Sequence, residues 1–459
     1  MPESGCGNGR SVHDHDTVWF PALNGFVCSG RMVKTGGGIA EMRAAASLQR
    51  SYQMPNRSKF TILKQVVEKI PGYLVSKLAR AHGVEPKCRS FSPWSHVVTL
   101  VYAQLSHALG LNDVSDSLNN HSEALKTLRG ATPPSHNGLS HANRVRNANM
   151  AEELFWATLG DIQKEHPGFG IGRAYCGFPR RFKRIINVVD STTIRLVANC
   201  MDWAKHRRRK AAAKCHMRLD LQSFLPRFAV VKSAGSHDAV EARVLCAEIQ
   251  AGEIVVFDKA YVDFVHLNEL QKRGVFWVTR RKENMVFKVI KSQKSTGTIR
   301  MDALIRLKVK KSRDQYPEPL RLIKAMVEVD WKIVEMEFIT NNLNWSAGSI
   351  GDLYKSRWGI EVFFKQLKPT LQLADFLGHN ENAVRWQIWT ALLTYVLLRF
   401  ISYLGRWKGS FSRLFTIIRG VLWSRFDLFA ILNACYGTAD GPVRMLAQPE
   451  QLYLPGIRW

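Results

Sequence analysis

The chain has 459 residues, 46% of them hydrophobic, which is enough apolar material for two to four domains at roughly 100–200 residues each. Lysine and arginine number 65 against 38 aspartates and glutamates. The resulting formal charge of +27 excludes an ordinary neutral or acidic metabolic enzyme and points to a polyanion, nucleic acid first and an acidic membrane surface second. The 13 tryptophans and 23 phenylalanines exclude a disordered basic tail.

Residues 1–57 read as a disordered leader. Gly5-Cys6-Gly7-Asn8-Gly9 and Gly36-Gly37-Gly38 interrupt any periodicity, and His13-Asp14-His15-Asp16 lacks a rigid third metal ligand. Met54 is a candidate start of the domain. The opening residues show no signal peptide. The eight cysteines are scattered with no CxxC pair, which suits reduced, buried thiols better than a disulfide framework or a zinc cluster.

Residues 58–178 read as helical. Ile62, Val66, Val67, Ile70 and Leu74 recur at helical spacing, as do Val97, Leu100, Val101 and Leu105. Leu111–Leu118 and Glu123–Leu128 form short helices, Pro133-Pro134 breaks the chain, and Leu139–Ala148 forms another. The last is expected to turn Ser140, His141, Asn143, Arg144 and Arg146 outward, as the second helix of a helix-turn-helix would. The alternative is a merely solvated basic face.

From Phe182 the period changes. Arg184–Val189, His216–Leu221 and Phe228–Val231 read as strands, Asp238–Ile249 as a helix, Ile254–Phe257 as a buried strand, Val262–Lys272 as a helix and Phe276–Thr279 as a strand. The order predicts an α/β core with a mixed sheet. Residues 284–345 read as a β-rich insertion with one alternating run from Ala325 to Phe338, and residues 350–435 return to helix. Thr390–Leu404 is apolar, too short to span a bilayer, and contains Arg399, so it reads as a buried helix.

Two strands are expected to stop at an acid, Asp190 and Asp258. The carboxyl ends of strands line the crevice of an α/β sheet, and unpaired buried carboxylates are costly, so a pair of them suggests a divalent-cation site. Either alone would read as a cap. Downstream, Tyr354, Arg357, Glu361 and Lys368 fall within roughly 60° of one another on a helix. A solvated Arg357–Glu361 pair is the plainer reading, but Trp358, Phe363, Phe364 and Leu367 cover the other faces. Asp190, Asp258 and Glu361 together offer three carboxylates for one or two hard cations, with Arg357 and Lys368 beside them for phosphates. The run Lys205–Lys210, including Arg208 and Lys210, with Lys214 and Arg218 beyond, is a candidate phosphate contact. His216 and His237 read as structural or phosphate-side groups. There is no Walker loop, dinucleotide fingerprint or nucleophile elbow.

Tyr, two residues, Arg, three residues, Glu, six residues, Lys resembles the signature of the DDE transposases of the bacterial insertion-sequence "four" family. Asp190-Ser191-Thr192, Asp258-Lys-Ala-Tyr261, Phe276-Trp-Val-Thr-Arg280, Phe338-Ile-Thr-Asn-Asn342 and Asn380–Trp389 resemble it too, over residues 58–435. Lys259 departs from the arginine common there. The resemblance implies a ribonuclease-H-like mixed-sheet catalytic core (179–283 and 346–405), the β-rich insertion (284–345), a helical N-terminal DNA-binding domain (58–178) and a C-terminal helical region (406–459). It implies Mg2+, with Mn2+ as substitute, held by Asp190, Asp258 and Glu361.

It also implies cleavage at terminal inverted repeats and strand transfer into target DNA by a homodimer in a synaptic complex, in a cytoplasmic, nucleoid-associated setting with no membrane. The DNA contacts it suggests are Tyr354, Arg357, Lys368, Lys210, Arg208 and Arg144. Relatives pass through a DNA hairpin, and Trp331 is the candidate aromatic for a flipped base, with Trp345 second and a plain core role as the competing reading. The alternative functions are a catalytically silent, DNA-binding descendant that represses or bridges, and a non-transposing nuclease of the same fold.

Overall fold

The computed structural model describes residues 56–84, 90–171, 182–196, 200, 205–207, 210–233, 238–295, 297–329, 332–371 and 377–435. The leader up to residue 55, Arg208, His237, Trp331 and the chain after residue 435 lie outside them, as do the side chains of Lys205–Arg207 and Lys210.

The helical stretch begins with α1 (Ile62–Val67), capped by Thr61, and α2 (Gly72–Ala81). The expected continuous pattern from Ile62 to Leu74 is split by Pro71, which cannot donate within a helix. α3 (Pro93–Ser106) starts on a Ser92 cap with proline in its first turn and ends at His107 in the left-handed conformation, φ 58°. α4 (Leu111–Asn120), α5 (Ser122–Lys126), α6 (His136–Val145) and α7 (Asn149–Glu165) follow.

Among the described residues ten strands form one sheet: β1 (Ile186–Leu196), β2 (Lys205–Arg207), β3 (Lys210–Asp220), β4 (Leu225–Ser233), β5 (Ile254–Phe257), β6 (Phe276–Arg280), β7 (Phe287–Gln293), β8 (Ile299–Leu307), β9 (Leu320–Val329) and β10 (Lys332–Thr340). Their order is β2-β3-β1-β5-β6-β10-β9-β8-β7, with β4 on β3. β1 is antiparallel to β3 and parallel to β5, and β5 is parallel to β6. α8 (Asp238–Leu245) and α9 (Phe264–Lys272, capped by Asp263) carry the two parallel crossovers.

The run Ala325–Phe338 falls on two antiparallel paired strands, β9 and β10. The strands of 284–345 join the same sheet as the core, because β10 pairs with β6.

Alternate faces of the sheet feed two cores. Ile186, Val188, Ile254, Val256 and Val278 join the large core shared with the helices, while Val189, Val255, Phe257 and Trp277 join a smaller one under α8 and α9. α10 (Lys310–Gln315) follows β8 and buries none of its side chains. α11 (Ala347–Ser356) and α12 (Trp358–Thr370) lie on the large-core side, followed by α13 (Glu381–Leu404), α14 (Phe411–Gly420) and α15 (Leu428–Ala434). α13 is longer than the sequence suggested: its 24 residues would suffice in length and composition to cross a membrane, but 89% of its apolar window is buried inside the fold. Cys200, Cys215 and Cys246 are free and buried, and burial pushes the Cys215 and Cys246 thiols up to about 12.

Candidate active site

Pairing of β1 with β5 runs from Ile186↔Ile254 to Val189↔Phe257, so Asp190 and Asp258 are the next residues at the same end of two adjacent parallel strands. Both share the sheet face of Val188 and Val256, which faces the large core. β1 does not stop at Asp190, as expected from sequence. It continues to Leu196, because β3 keeps pairing with it after β5 has ended: Asp190 stands opposite Met217. Asp258 does end its strand, and Lys259–Tyr261 follows as a single tight turn.

The helix expected to carry Tyr354 through Lys368 is two helices joined at Arg357. Arg357 keeps helical backbone angles (φ −54°, ψ −32°), ends α11 and opens α12, with three-residue hydrogen bonds on both sides of it (Arg357 N to Tyr354 O, Ile360 N to Arg357 O). This tight turn keeps all four signature residues over the ends of β1 and β5. The Tyr354 hydroxyl donates to Asp258 Oδ1 at 3.0 Å, and its ring packs on Phe338 of β10. Arg357 donates to Asp190 Oδ2 at 2.6 Å and Glu361 Oε1 at 2.5 Å. Lys368 Nζ donates to the Thr193 carbonyl at 2.9 Å, on the extension of β1 past Asp190.

Burial pushes the Asp190 carboxyl up to about 6, and Glu361 and Asp258 add to the rise; the Arg357 guanidinium and the Ser191 backbone N–H only partly oppose it. That the acid stays raised beside an arginine shows desolvation outweighing the ion pair. For Arg357 burial acts downward, but Tyr354, Asp190 and Glu361 prevail and hold it above the ordinary arginine range. Burial likewise raises Tyr354, whose phenol stays protonated.

The guanidinium lies between two of the three acids, and among the described residues no three acidic, thiol or imidazole side chains converge as a ready ligand set. The donors nonetheless suit a hard divalent cation: they are all carboxylate oxygens, they perturb one another electrostatically, and the charge they share is the charge Arg357 now neutralises.

Other sequence candidates fare differently. Arg144 is exposed on α6, but Asn143 and Arg146 turn inward: Asn143 accepts from His96 at 2.8 Å, and Arg146 holds the Phe91 and Ser92 carbonyls. Arg218 is buried beside Glu248, so it faces no phosphate. His216 is fully buried in β3. Trp345 is half-buried and packs against Phe182, edge to face, and against Phe276 in a tilted contact. The feature sequence reasoning missed is the double grip of Arg357. Its i,i+4 spacing to Glu361 gave half of it, while the contact with Asp190 spans 167 positions.

A family model described as a transposase DDE domain matches residues 181–397, and one described as a domain of unknown function matches residues 58–128. A putative transposase of Sinorhizobium fredii is 30% identical over 304 residues, covering 65% of this chain and 80% of that protein. A probable insertion-sequence transposase of Geobacillus stearothermophilus is 28% identical over 225 residues, covering 48% of this chain and 58% of the relative. A solved piggyBac transposase synaptic complex with hairpin DNA aligns at a TM-score of 0.39 and 10% identity, over 82% of this chain and 80% of that one. The protein is therefore a DNA transposase, an enzyme of the DDE class, whose members use divalent metal ions. Within that class the chain belongs to the insertion-sequence transposases of the "four" type.

Proposed function

We propose that Asp190, Asp258 and Glu361 are the catalytic and metal-binding acids of a ribonuclease-H-like core that cuts DNA at the ends of an insertion sequence and joins them to target DNA. One observation carries the reading: acids far apart in the chain are gathered through two signature residues, Arg357 on Asp190 and Glu361, and Tyr354 on Asp258. The antiparallel β3–β1 and parallel β1–β5–β6 pairings support the core assignment to 179–283 and 346–405, with 284–345 as its insertion.

Mg2+, with Mn2+ as substitute, would when bound to the three carboxylates neutralise charge on the scissile phosphate and activate the attacking oxygen. The chain's own groups do the rest. Tyr354 fixes the rotamer of Asp258. Arg357 carries two donor edges that pass from carboxylates to phosphate oxygens as the acids take up other partners. Lys368 ties the far end of α12 to β1 and sets a positive charge beside the DNA path. The helical region 58–178 presents Arg144 to the terminal repeats, while Lys210 and Arg208 serve as backbone contacts and Trp331 as the stacking aromatic. Two chains hold two ends together.

The test is end-bearing DNA incubated with the purified protein and Mg2+. Strand transfer by the wild type, abolished in Glu361→Ala with DNA binding retained, is the expected result. Binding without cutting in the wild type would make the chain a silent descendant, and cutting equally well on DNA without ends would make it a plain nuclease.

A further inference from the structure

Between Val286 and Arg313 the chain carries nine lysines and arginines and a single acid, Asp302. Asp302 is buried and held by Arg321 through Nε and Nη2, at 2.8 and 2.7 Å, so it cancels none of the surface charge. All nine cations are exposed. They gather on β7, β8 and the start of α10. Among the described residues β7 is an open edge of the sheet, and six of its seven residues are exposed, so both of its faces meet solvent.

The register shows where this edge points. Lys288 stands opposite Arg306, and Lys291 opposite Leu304. Opposite pairs then run Leu304–Arg321–Thr340–Val278–Val256, two residues short of Asp258 on the same strand. Residues facing one another across a ladder, and those two apart along a strand, share a face. Lys288, Lys291 and Arg306 therefore lie on the sheet face that carries the acids. Five strand spacings separate β7 from β5, roughly 24 Å at about 4.8 Å each. That is about seven base pairs of duplex at 3.4 Å per step.

We propose that this cationic edge is a second docking surface for duplex DNA, gripping the backbone about seven base pairs from the phosphate at the acid cluster. It rests on the proposed placement of the reaction at Asp190, Asp258 and Glu361. Duplex DNA is favoured as the occupant by charge density without intervening acids and by a spacing that a straight duplex spans. Lysines on an open strand edge also deter edge-to-edge pairing. Charge of either sign serves that end, so reversing the charge separates the two roles.

The experiment compares the full-length wild type with Lys288→Glu/Lys291→Glu/Arg306→Glu on two sets of end-bearing duplexes: one extending about fifteen base pairs to either side of the cleavage position, the other trimmed to about four on one side or the other. The expected result is that the slope of log K against log salt falls by about three in the variant on the extended duplexes, near 0.9 for each phosphate no longer neutralised. On one trimmed duplex, wild type and variant become equal. Equal slopes on every duplex overturn the proposal. The Gln triple variant, with the charge removed but not reversed, gives the same reading should the Glu variant fail to fold. Binding is measured without Mg2+ and in the Glu361→Ala background, so a chain that cannot cut still reports on the edge, and failure of the catalytic reading remains distinguishable.

Discussion

At the residue scale, the partner given to one buried polar group decides its charge state. His96 sits fully buried on α3, packed on Trp386, and its Nε2 meets Asn143 Oδ1 at 2.8 Å. Since the amide oxygen accepts, Nε2 carries the proton and the ring is neutral. Burial, then the nearby Arg146, pushes its pKa down to about 3, against the weaker pull of Asn143. The unfolded chain takes up this proton near pH 6.5, the folded one only near 3. Stability therefore falls as pH drops through that window, by up to about 1.4 kcal/mol per unit. Burial lowers the pKa of His266 in the same direction. Urea unfolding at pH 7, 6 and 5 should show a shallower decline in His96→Gln than in the wild type; identical slopes would remove His96 as the cause. Asn143 shows the limit of reading residue types from sequence. It was expected on a DNA-facing surface, but the neutral imidazole needed its oxygen.

At the element scale, the signature helix pair is positioned by close approach as much as by its residue spacing. Gly359, two residues before Glu361, lies over the β3–β4 turn, and a Cβ there would come within 2.7 Å of Leu221 Cδ1 and 3.6 Å of Phe224. Leu221 is fully buried and has little room to yield. Gly359→Val should cost about 1–3 kcal/mol of stability through overpacking. It should also lift the first turn of α12, and with it Glu361, away from Asp190. Thermal unfolding checks the first effect and the rate of end cleavage the second; a variant as stable and active as wild type would show that the approach is slack. The signature spacing was legible because a helix repeats every 3.6 residues. The tight turn at Arg357 was not, because only contact with two different strands makes it favourable.

At the scale of the whole molecule, the large core runs from the N-terminal helices through the central sheet to the C-terminal helices. α13 packs against α3, α6 and α7 of the N-terminal helical region through Trp386 and Trp389, and against the sheet through Tyr395, whose hydroxyl donates to the Phe224 carbonyl, and Arg399, which donates to the Ser223 carbonyl. Removing such aromatic burial costs about 3–5 kcal/mol per side chain. A fragment of residues 54–178 lacks α13 and should show helical circular dichroism without cooperative unfolding. Sharp two-state melting of that fragment would show that the region folds by itself.

The sequence by itself pointed to a polyanion partner, to the strands and helices with strong periodicity, and to the spacing of the signature residues, since each depends on charge or on spacing along a few neighbouring residues. Tertiary structure decided the rest. β1 outruns Asp190 because β3 supports it, the inserted strands extend the central sheet because β10 finds β6, Arg218 is drawn inward, and Arg357 closes on an acid from a distant strand. Each of these depends on a partner supplied from elsewhere in the chain, and no local pattern encodes which partner that will be.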